Sequence, residues 1–259
     1  MKMNALVTIG GTRERIDNVR NISNVSTGRL GSLIAERLAM CPDIEKVYCV
    51  CGMAAKAPQS EKITLIGVDD VSSLEAAVKN LLGRESMDIV IHSMAVSDYR
   101  VKKVTSLKLL SEIPAGDASL TMLPGQNDAG AVMASIISRA GSALKSDGKI
   151  SSDVDDLMLI MERTPKIISM FKALSPGSVL VGFKLLDGVP LDTLIDKGYE
   201  VLTLNGCDFV LANDLKEISD ERHVGYLIDK EKNYVRYASK KDIAEAIVRA
   251  VLNERRVKL

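Results

Sequence analysis

The sequence predicts an α/β fold, a doubly wound, mainly parallel sheet with one inserted lobe, and three observations carry it. Apolar runs near 4–9, 46–51, 62–67, 88–92, 178–183 and 208–212 have the length of strands. Helical patterns near 28–40, 71–82 and 190–203 lie between several of them. Alternation of the two covers both faces of a parallel sheet with helices, the Rossmann-like arrangement. Ligands of such sheets bind beyond the C-terminal strand ends, so Gly10, Met94, Phe183 and Asn213 are expected around one crevice.

The first strand closes on Val7-Thr8-Ile9 and runs into Gly10-Gly11, where the backbone can turn sharply and a ligand can approach without meeting a Cβ. Ser26 and Thr27 have the chemistry of helix caps, and Leu30, Leu33, Ile34 and Leu38 recur at helical spacing from Gly28 onward. A helix N-terminus offers free N–H groups and a positive dipole end, both suited to phosphate. The polar connection from Gly11 to Gly28 carries Arg13, Glu14, Asp17, Arg20 and Asn24, and it exceeds the roughly 2–6 residues of a purely structural connection. Neither the GxGxxG fingerprint nor the GxxxxGK[ST] loop is present, so neither dinucleotide binding nor a Walker-type NTPase follows, and a tight structural turn is the plain alternative.

From about 98 to 176 the alternation breaks. A polar, lysine-containing stretch precedes a helical pattern near 128–145, then Lys149-Ile150-Ser151-Ser152, then alternating Leu157, Leu159 and Met161. Thr164-Pro165 opens a further helix, so the segment reads as an insertion lobe with an antiparallel arm. The tail holds two short strands near 224–229 and 233–237 with Lys230 to Lys232 as their turn. Ser239 then caps a terminal helix whose Ile243, Ala246, Ile247, Ala250 and Val251 share one face.

The 259 residues suffice for one large domain spanning 1–259 with the lobe inside it. With 34 basic and 34 acidic residues, no net charge draws the chain to nucleic acid or an anionic membrane. No run approaches the roughly 20 apolar residues of a membrane span and no apolar leader opens the sequence. The expectation is a cytoplasmic protein with neither membrane nor nucleic acid as partner. Cys41, Cys49, Cys51 and Cys207 lack paired CxxC spacing and read as ordinary buried thiols. His92, at the end of Asp88-Ile89-Val90-Ile91, is expected to be packed or hydrogen-bonded, and the inventory argues against a histidine metal site or a Ser-His-Asp triad.

Seven segments, in order, resemble phosphopantothenate-cysteine ligase, an enzyme of coenzyme A biosynthesis. They are Gly10-Gly11-Thr12-Arg13-Glu14 with Ile16 to Asn24; Ser26-Thr27-Gly28; Ile91 to Tyr99; Lys149 to Ser152; Thr164-Pro165-Lys166-Ile167-Ile168; Val181-Gly182-Phe183-Lys184-Leu185; and Leu211-Ala212-Asn213-Asp214. The His-Ser-Met-Ala-Val-Ser-Asp-Tyr and Gly-Phe-Lys-Leu forms are most similar to the stand-alone bacterial version, which lacks a fused flavin-dependent decarboxylase half.

The resemblance implies a two-step reaction of 4′-phosphopantothenate, cysteine and a nucleoside triphosphate, CTP with ATP as the alternative, aided by Mg²⁺ whose ligands it leaves unassigned. Lys149 matches the catalytic lysine, whose ammonium suits a phosphate that changes geometry during transfer. Asn24 matches the asparagine that contacts the acyl group, where its amide can donate to the acyl oxygen. Gly10, Gly11, Ser26, Thr27, Gly28, Asp98, Pro165, Lys166, Ile167, Ile168, Phe183 and Asn213 are implied on the nucleotide side. Arg20, Asn24, Met94 and Ala95 are implied on the substrate side; Arg20 holds either the pantothenate phosphate or a structural carboxylate, and Met94 acts through its main chain. The lobe, with Leu157, Leu159 and Met161 in its arm, is expected to pair two chains into a homodimer.

One departure stands out. Fused bacterial members carry two nucleotide-facing lysines on the helix before the Asn-Asp strand, where this chain has Glu200 and Leu204, or Val201 and Asn205 one register along; Lys197 lies about a turn upstream. Two rival readings share the fold: a nicotinamide-dependent reductase, which lacks its fingerprint here, and a nucleotide-binding module without chemistry, which has no use for Lys149.

Overall fold

The computed structural model describes residues 2–112, 137, 144, 148–219 and 222–258, which form two compact units. The helical pattern expected near 128–145 lies outside the described residues. The first unit comprises 1–13, 23–97 and 165–259; the second comprises 14–22 and 98–164.

The first unit is built on one eight-stranded sheet. In chain order its strands are β1 (Met3–Ile9), β4 (Ile44–Gly52), β5 (Ile63–Val68), β6 (Ile89–His92), β9 (Val179–Leu186), β10 (Phe209–Asp214), β11 (Gly225–Ile228) and β12 (Tyr234–Tyr237). Their spatial order is β12-β11-β10-β9-β6-β1-β4-β5. From β5 to β10 every pairing is parallel, and β11 and β12 add an antiparallel edge. The mainly parallel, doubly wound sheet is therefore the one expected. The chain moves outward from β1 through β4 to β5, then returns to place β6 on the other side of β1. That reversal opens a crevice at the C-terminal ends of β1 and β6.

Alternation along β1 divides the core. Ala5, Val7 and Ile9 face one side, where helices α1 (Arg29–Met40) and α6 (Lys240–Lys258) bring Ile34, Leu38, Ile243, Ile247 and Val251. Leu6 faces the other, packed with Leu74 and Val78 of α2 (Val71–Leu82), Phe171 of α4 (Ile168–Leu174) and Leu202 of α5 (Leu191–Asn205). Helix α2 starts on a capping box in which Asp70 accepts from Ser73 N and Ser73 accepts from Asp70 N. Ser239 caps α6 by accepting from Asp242 N at 3.1 Å.

Two features differ from expectation. Neither Ser26 nor Thr27 caps α1: Gly28 holds the N-cap position at φ 69°, a left-handed conformation that favours glycine, and no side chain caps the helix. The first turn of α1 carries no acidic residue either. The lobe expected to run to about 176 gives way to the first unit at Pro165, because α4 buries Phe171 completely against the sheet.

The second unit holds most of a two-stranded sheet of β2 (Arg13–Arg15) and β3 (Asn21–Ser23), whose outer residues Arg13 and Ser23 belong to the first unit, and an antiparallel pair of β7 (Tyr99–Ser106), which runs into the short α3 (Leu107–Ser111), and β8 (Leu157–Arg163). The arm forecast from Leu157, Leu159 and Met161 is β8, paired from Ser106↔Leu157 to Tyr99↔Arg163. No described helix is long and apolar enough to cross a membrane.

Candidate functional site

In the first unit the β1 and β6 exits are stitched together. Ala95 N donates to Gly10 O at 2.8 Å, Thr12 N donates to Ala95 O at 3.3 Å, and Gly11 and Ala95 form a parallel bridge. One layer down, Thr8 Oγ1 lies 2.8 Å from His92 Nδ1 and accepts from Met94 N at 3.2 Å, while Ser93 Oγ donates to Thr8 O at 2.6 Å. His92 is buried beside Phe171, ring centroids 5.0 Å apart, and burial pulls its pKa down to about 4. It is thus neutral at physiological pH, a hydrogen-bonded core histidine as expected.

Backbone approaches backbone where β4 exits. A Cβ on Gly52 would run into the carbonyl of Gly11, so only a glycine fits. Lys56 N donates to Thr27 O at 3.1 Å, and Ser32 Oγ donates to Lys56 O, which fixes the segment leading into α1. The uncapped N–H groups of that helix, with Ser26 half-buried and Thr27 exposed ahead of them, form an anion-favouring end.

Asn24 is exposed above this crevice. Its Nδ2 donates to Val96 O at 3.1 Å and reaches Ala95 O at 3.5 Å. Two carbonyls on one side settle which end of the amide is NH₂. Met94 is buried in the core, which leaves its main chain as the part open to a ligand. Phe183 is half-buried against the cluster of Val181 and Leu211. Pro165 and Lys166 are exposed ahead of α4, Ile167 is buried, and Ile168 is half-buried. Asn213 is also buried, its Nδ2 donating to Val224 O across to β11, so its side chain ties the antiparallel edge to the sheet.

A cavity of about 520 Å³ lies beside β10, lined by Gly188, Val189, Leu194, Asp214, Lys216 and Tyr226 among others. None of the expected site residues lines it. Asp214 shapes its wall by accepting from Gly188 N, Val189 N and Lys216 N, contacts that lower its pKa.

In the second unit, Asp17 organises the segment before β3. Its Oδ1 accepts from Val19 N at 2.8 Å and Arg20 N at 2.7 Å, and its Oδ2 accepts from Arg20 Nε at 2.9 Å and Arg20 Nη2 at 2.6 Å. The Arg20 guanidinium, with those N–H groups, outweighs burial and holds Asp17 well below the usual carboxylate range. Of the two roles open to Arg20, holding a structural carboxylate is the one its contacts display. Arg20 Nη2 and Asp17 Oδ2 also bind Ile150 O and Ile150 N, at 2.9 and 3.2 Å, so Lys149 is carried, exposed, on a main chain anchored to this loop. Asp98 is exposed, and its carbonyl accepts from Thr164 N at 3.0 Å.

Lys197 does not stand free in place of the missing lysines: its Nζ is 2.6 Å from Glu200 on α5. Among the described residues no group of three or more His, Cys, Asp or Glu could hold a metal ion. Burial raises the pKa of all four thiols, Cys207 to about 12 and Cys51 to about 11, so none is a ready nucleophile at neutral pH. Sequence reasoning missed Thr12 and Ser97, buried hydroxyls whose pairing no local pattern signals.

Residues 1–132 and 125–254 match the family model described as DNA/pantothenate metabolism flavoprotein C-terminal domain. The coenzyme A biosynthesis bifunctional protein CoaBC of Thermococcus kodakarensis is 29% identical over 226 residues, covering 87% of this chain and 45% of that protein. The protein of the same name from Methanocaldococcus jannaschii is 27% identical over 248 residues, covering 95% of this chain and 49% of its own length. The chain therefore spans about half the length of these relatives. The crystal structure of the DNA/pantothenate metabolism flavoprotein from Streptococcus pneumoniae superposes with a TM-score of 0.79 at 31% identity, covering 97% of this chain and 99% of that one. A Cab2 variant in complex with phosphopantothenate-cysteine has the same fold, with a TM-score of 0.68 at 16% identity over 99% of this chain and 87% of that one.

Proposed function

The chain belongs to the family of DNA/pantothenate metabolism flavoprotein C-terminal domains, and from that premise we propose that it is a phosphopantothenate-cysteine ligase. The observation that carries this reading is the β1/β6 crevice itself, where the diglycine turn, the uncapped α1 N-terminus and the Asn24 amide meet. That combination suits a bound polyphosphate next to an acyl group.

In the first step a carboxylate oxygen of 4′-phosphopantothenate attacks the α-phosphorus of the nucleotide, CTP in this proposal. The bond to the β-phosphate oxygen breaks and pyrophosphate leaves. In the second, the cysteine amine attacks the acyl carbon, the bond to the nucleotide oxygen breaks, and CMP leaves as the amine loses a proton. The first step brings two anions together and the second builds negative charge on the acyl oxygen, so fixed donors aimed at the developing charge lower both barriers. Gly10, Gly11 and the segment Ser26 to Gly28 hold the phosphates through main-chain N–H groups. Lys149 supplies a mobile positive charge at the transferring phosphate. One N–H of Asn24 is anchored on Val96 O; the other, only weakly held by Ala95 O, is the donor offered to the acyl oxygen.

Asp98, Pro165 to Ile168, Phe183 and the Asn213 main chain serve the nucleotide, and the Ala95 main chain serves the pantothenate; Arg20, whose Nε and Nη2 are taken by Asp17 and Ile150 O, has Nη1 left to offer the pantothenate phosphate. The β7–β8 arm pairs two chains. Among the described residues no group of three or more acidic, His or Cys side chains could hold a metal ion, so Mg²⁺ would arrive on the triphosphate and offset part of its charge. A turnover assay with 4′-phosphopantothenate, cysteine and CTP or ATP tests the reading: 4′-phosphopantothenoylcysteine and stoichiometric pyrophosphate are expected. Nucleotide binding without product overturns it.

A further inference from the structure

We propose that Thr12 is a positioning residue for Asn24, acting through the two carbonyls that hold the Asn24 amide. This deepens the ligase reading and rests on it. Thr12 is fully buried, and its hydroxyl makes two contacts with one residue: Oγ1 donates to Ser97 Oγ at 3.0 Å and accepts from Ser97 N at 2.9 Å. On the other side of the same short turn, Ala95 N donates to Gly10 O at 2.8 Å. Ala95 and Val96 are thus clamped at both ends to the exit of β1, with Thr12 N adding a bond to Ala95 O at 3.3 Å.

Those two residues present the carbonyls that Asn24 uses. The amide can turn only as far as Val96 O and Ala95 O turn, and peptide planarity makes each carbonyl direction follow the neighbouring N–H directions. The Ser97 N–H belongs to the peptide whose carbonyl is Val96 O, so the Thr12 hydroxyl fixes the orientation of that acceptor. Asn24 itself is exposed, so no packing against its side chain does the same work. A buried hydroxyl is a costly way to close a turn, since the Thr12 Oγ1 stays satisfied there only through its contacts with Ser97. Its placement under the Asn24 acceptors gives the pairing a catalytic purpose.

The test separates the two half-reactions in Asn24→Ala, Thr12→Val, Thr12→Ser and the Asn24→Ala, Thr12→Val double variant. Pyrophosphate release is followed with 4′-phosphopantothenate and CTP; amide formation is followed after cysteine is added to the accumulated acyl nucleotidylate. A misaimed donor costs about 10-fold to 100-fold. Thr12→Val should slow amide formation by that factor and change pyrophosphate release by less than about threefold. Thr12→Ser, which keeps the hydroxyl, should restore the rate, and Thr12→Val should add less than about threefold in the Asn24→Ala background. Equal slowing of both half-reactions, or a full additional loss in the double variant, overturns the positioning role. If Thr12→Val does not fold, Thr12→Ala removes the same hydroxyl without the second methyl group, and normal amide formation in that variant overturns the proposal. Normal amide formation in Asn24→Ala instead overturns the role given to Asn24, a separate outcome.

Discussion

Removing the Asp208 carboxylate should destabilise the first unit and leave its chemistry intact. Asp208 precedes β10 at the N-terminal end of the sheet, away from the crevice, and is 2% exposed. It accepts from Leu180 N at 2.8 Å, Lys172 Nζ at 3.0 Å, Lys230 Nζ at 2.7 Å and Lys258 Nζ. Burial pushes its pKa up, but the hydrogen bonds from Lys230, Lys258, Leu180 N and Lys172 outweigh that and hold it well below the usual carboxylate range. In Asp208→Ala the buried Leu180 N–H loses its acceptor, a cost of about 1–3 kcal/mol. Lys172, Lys230 and Lys258 are 23, 45 and 28% exposed, so each can turn toward water, and each lost pair contributes no more than about 1 kcal/mol. Glu254 remains to neutralise part of the charge, lying 2.9 Å from Lys230 and 3.7 Å from Lys258. The net loss is about 2–4 kcal/mol, a fall in Tm of roughly 5–15 °C. Asp208→Asn should cost less, because its amide oxygen can still accept from Leu180 N. Paired urea and thermal melts with turnover at 25 °C measure all three quantities. A loss under about 1 kcal/mol in Asp208→Ala refutes the energetic reasoning, and a fall in turnover of still-folded protein refutes the separation of clamp from crevice.

Other outcomes follow from the same geometry. Lys149→Gln should lower kcat by about 10²–10³ without shifting Tm, since Lys149 is exposed and the Ile150 main-chain contacts survive; near-normal turnover in a steady-state assay removes Lys149 from the mechanism. The kcat/KM for CTP should modestly exceed that for ATP, because Lys197 is engaged by Glu200 and the nucleotide-facing lysines are missing; a clear advantage for ATP overturns CTP as the co-substrate. Light scattering should give the mass of a dimer, and a monomer at working concentration removes the pairing role from the β7–β8 arm. On acidification, stability should fall in two windows. His92 and His223 both have folded pKa values of about 4 against roughly 6.5 unfolded, each lowered first by burial, so the native state binds fewer protons between those values and loses up to about 1.4 kcal/mol per pH unit for each as pH falls. Asp17 and Asp208 are held below the usual range, so their contribution is complete above about pH 5 and fades below about pH 4. Chemical melts from pH 8 to pH 3 check both windows, and a flat profile between pH 6.5 and pH 4 contradicts both neutral histidines.

Much of the fold was legible because it is periodic. Apolar runs set β1, β4, β5, β6 and β10 within about two residues and the start of β9 within one, and the alternation of Leu157, Leu159 and Met161 marks β8. The site was legible as segments and much less so as contacts. Ser26 and Thr27 have capping chemistry, yet the backbone geometry at Gly28 decides where α1 starts. Arg20 was open between phosphate and carboxylate, and only the turn that Asp17 closes on Val19 and Arg20 shows where the guanidinium lies. The buried Asn213 amide and the Thr12–Ser97 pair are set by which strands neighbour one another. For Thr12 and Ser97 the parallel register spans a long stretch of intervening chain and leaves no short-range trace.

The position of β6 also shapes how the chain is made. Ile89 pairs with Val179, some ninety positions later, so synthesis delivers β1, β4, β5 and β6 well before the strand that covers β6 exists. For that interval a nascent four-stranded half-sheet, its strands rich in valine and isoleucine, waits at the ribosome with the short edge of β6 unpaired. Synthesis at about 5–20 residues per second sets that wait at several seconds, long enough for trigger-type chaperones or a neighbouring nascent chain to find the edge. Slow stretches of translation within the intervening segment would lengthen the hazard, and expression yield should respond to codon choice there more than after β9.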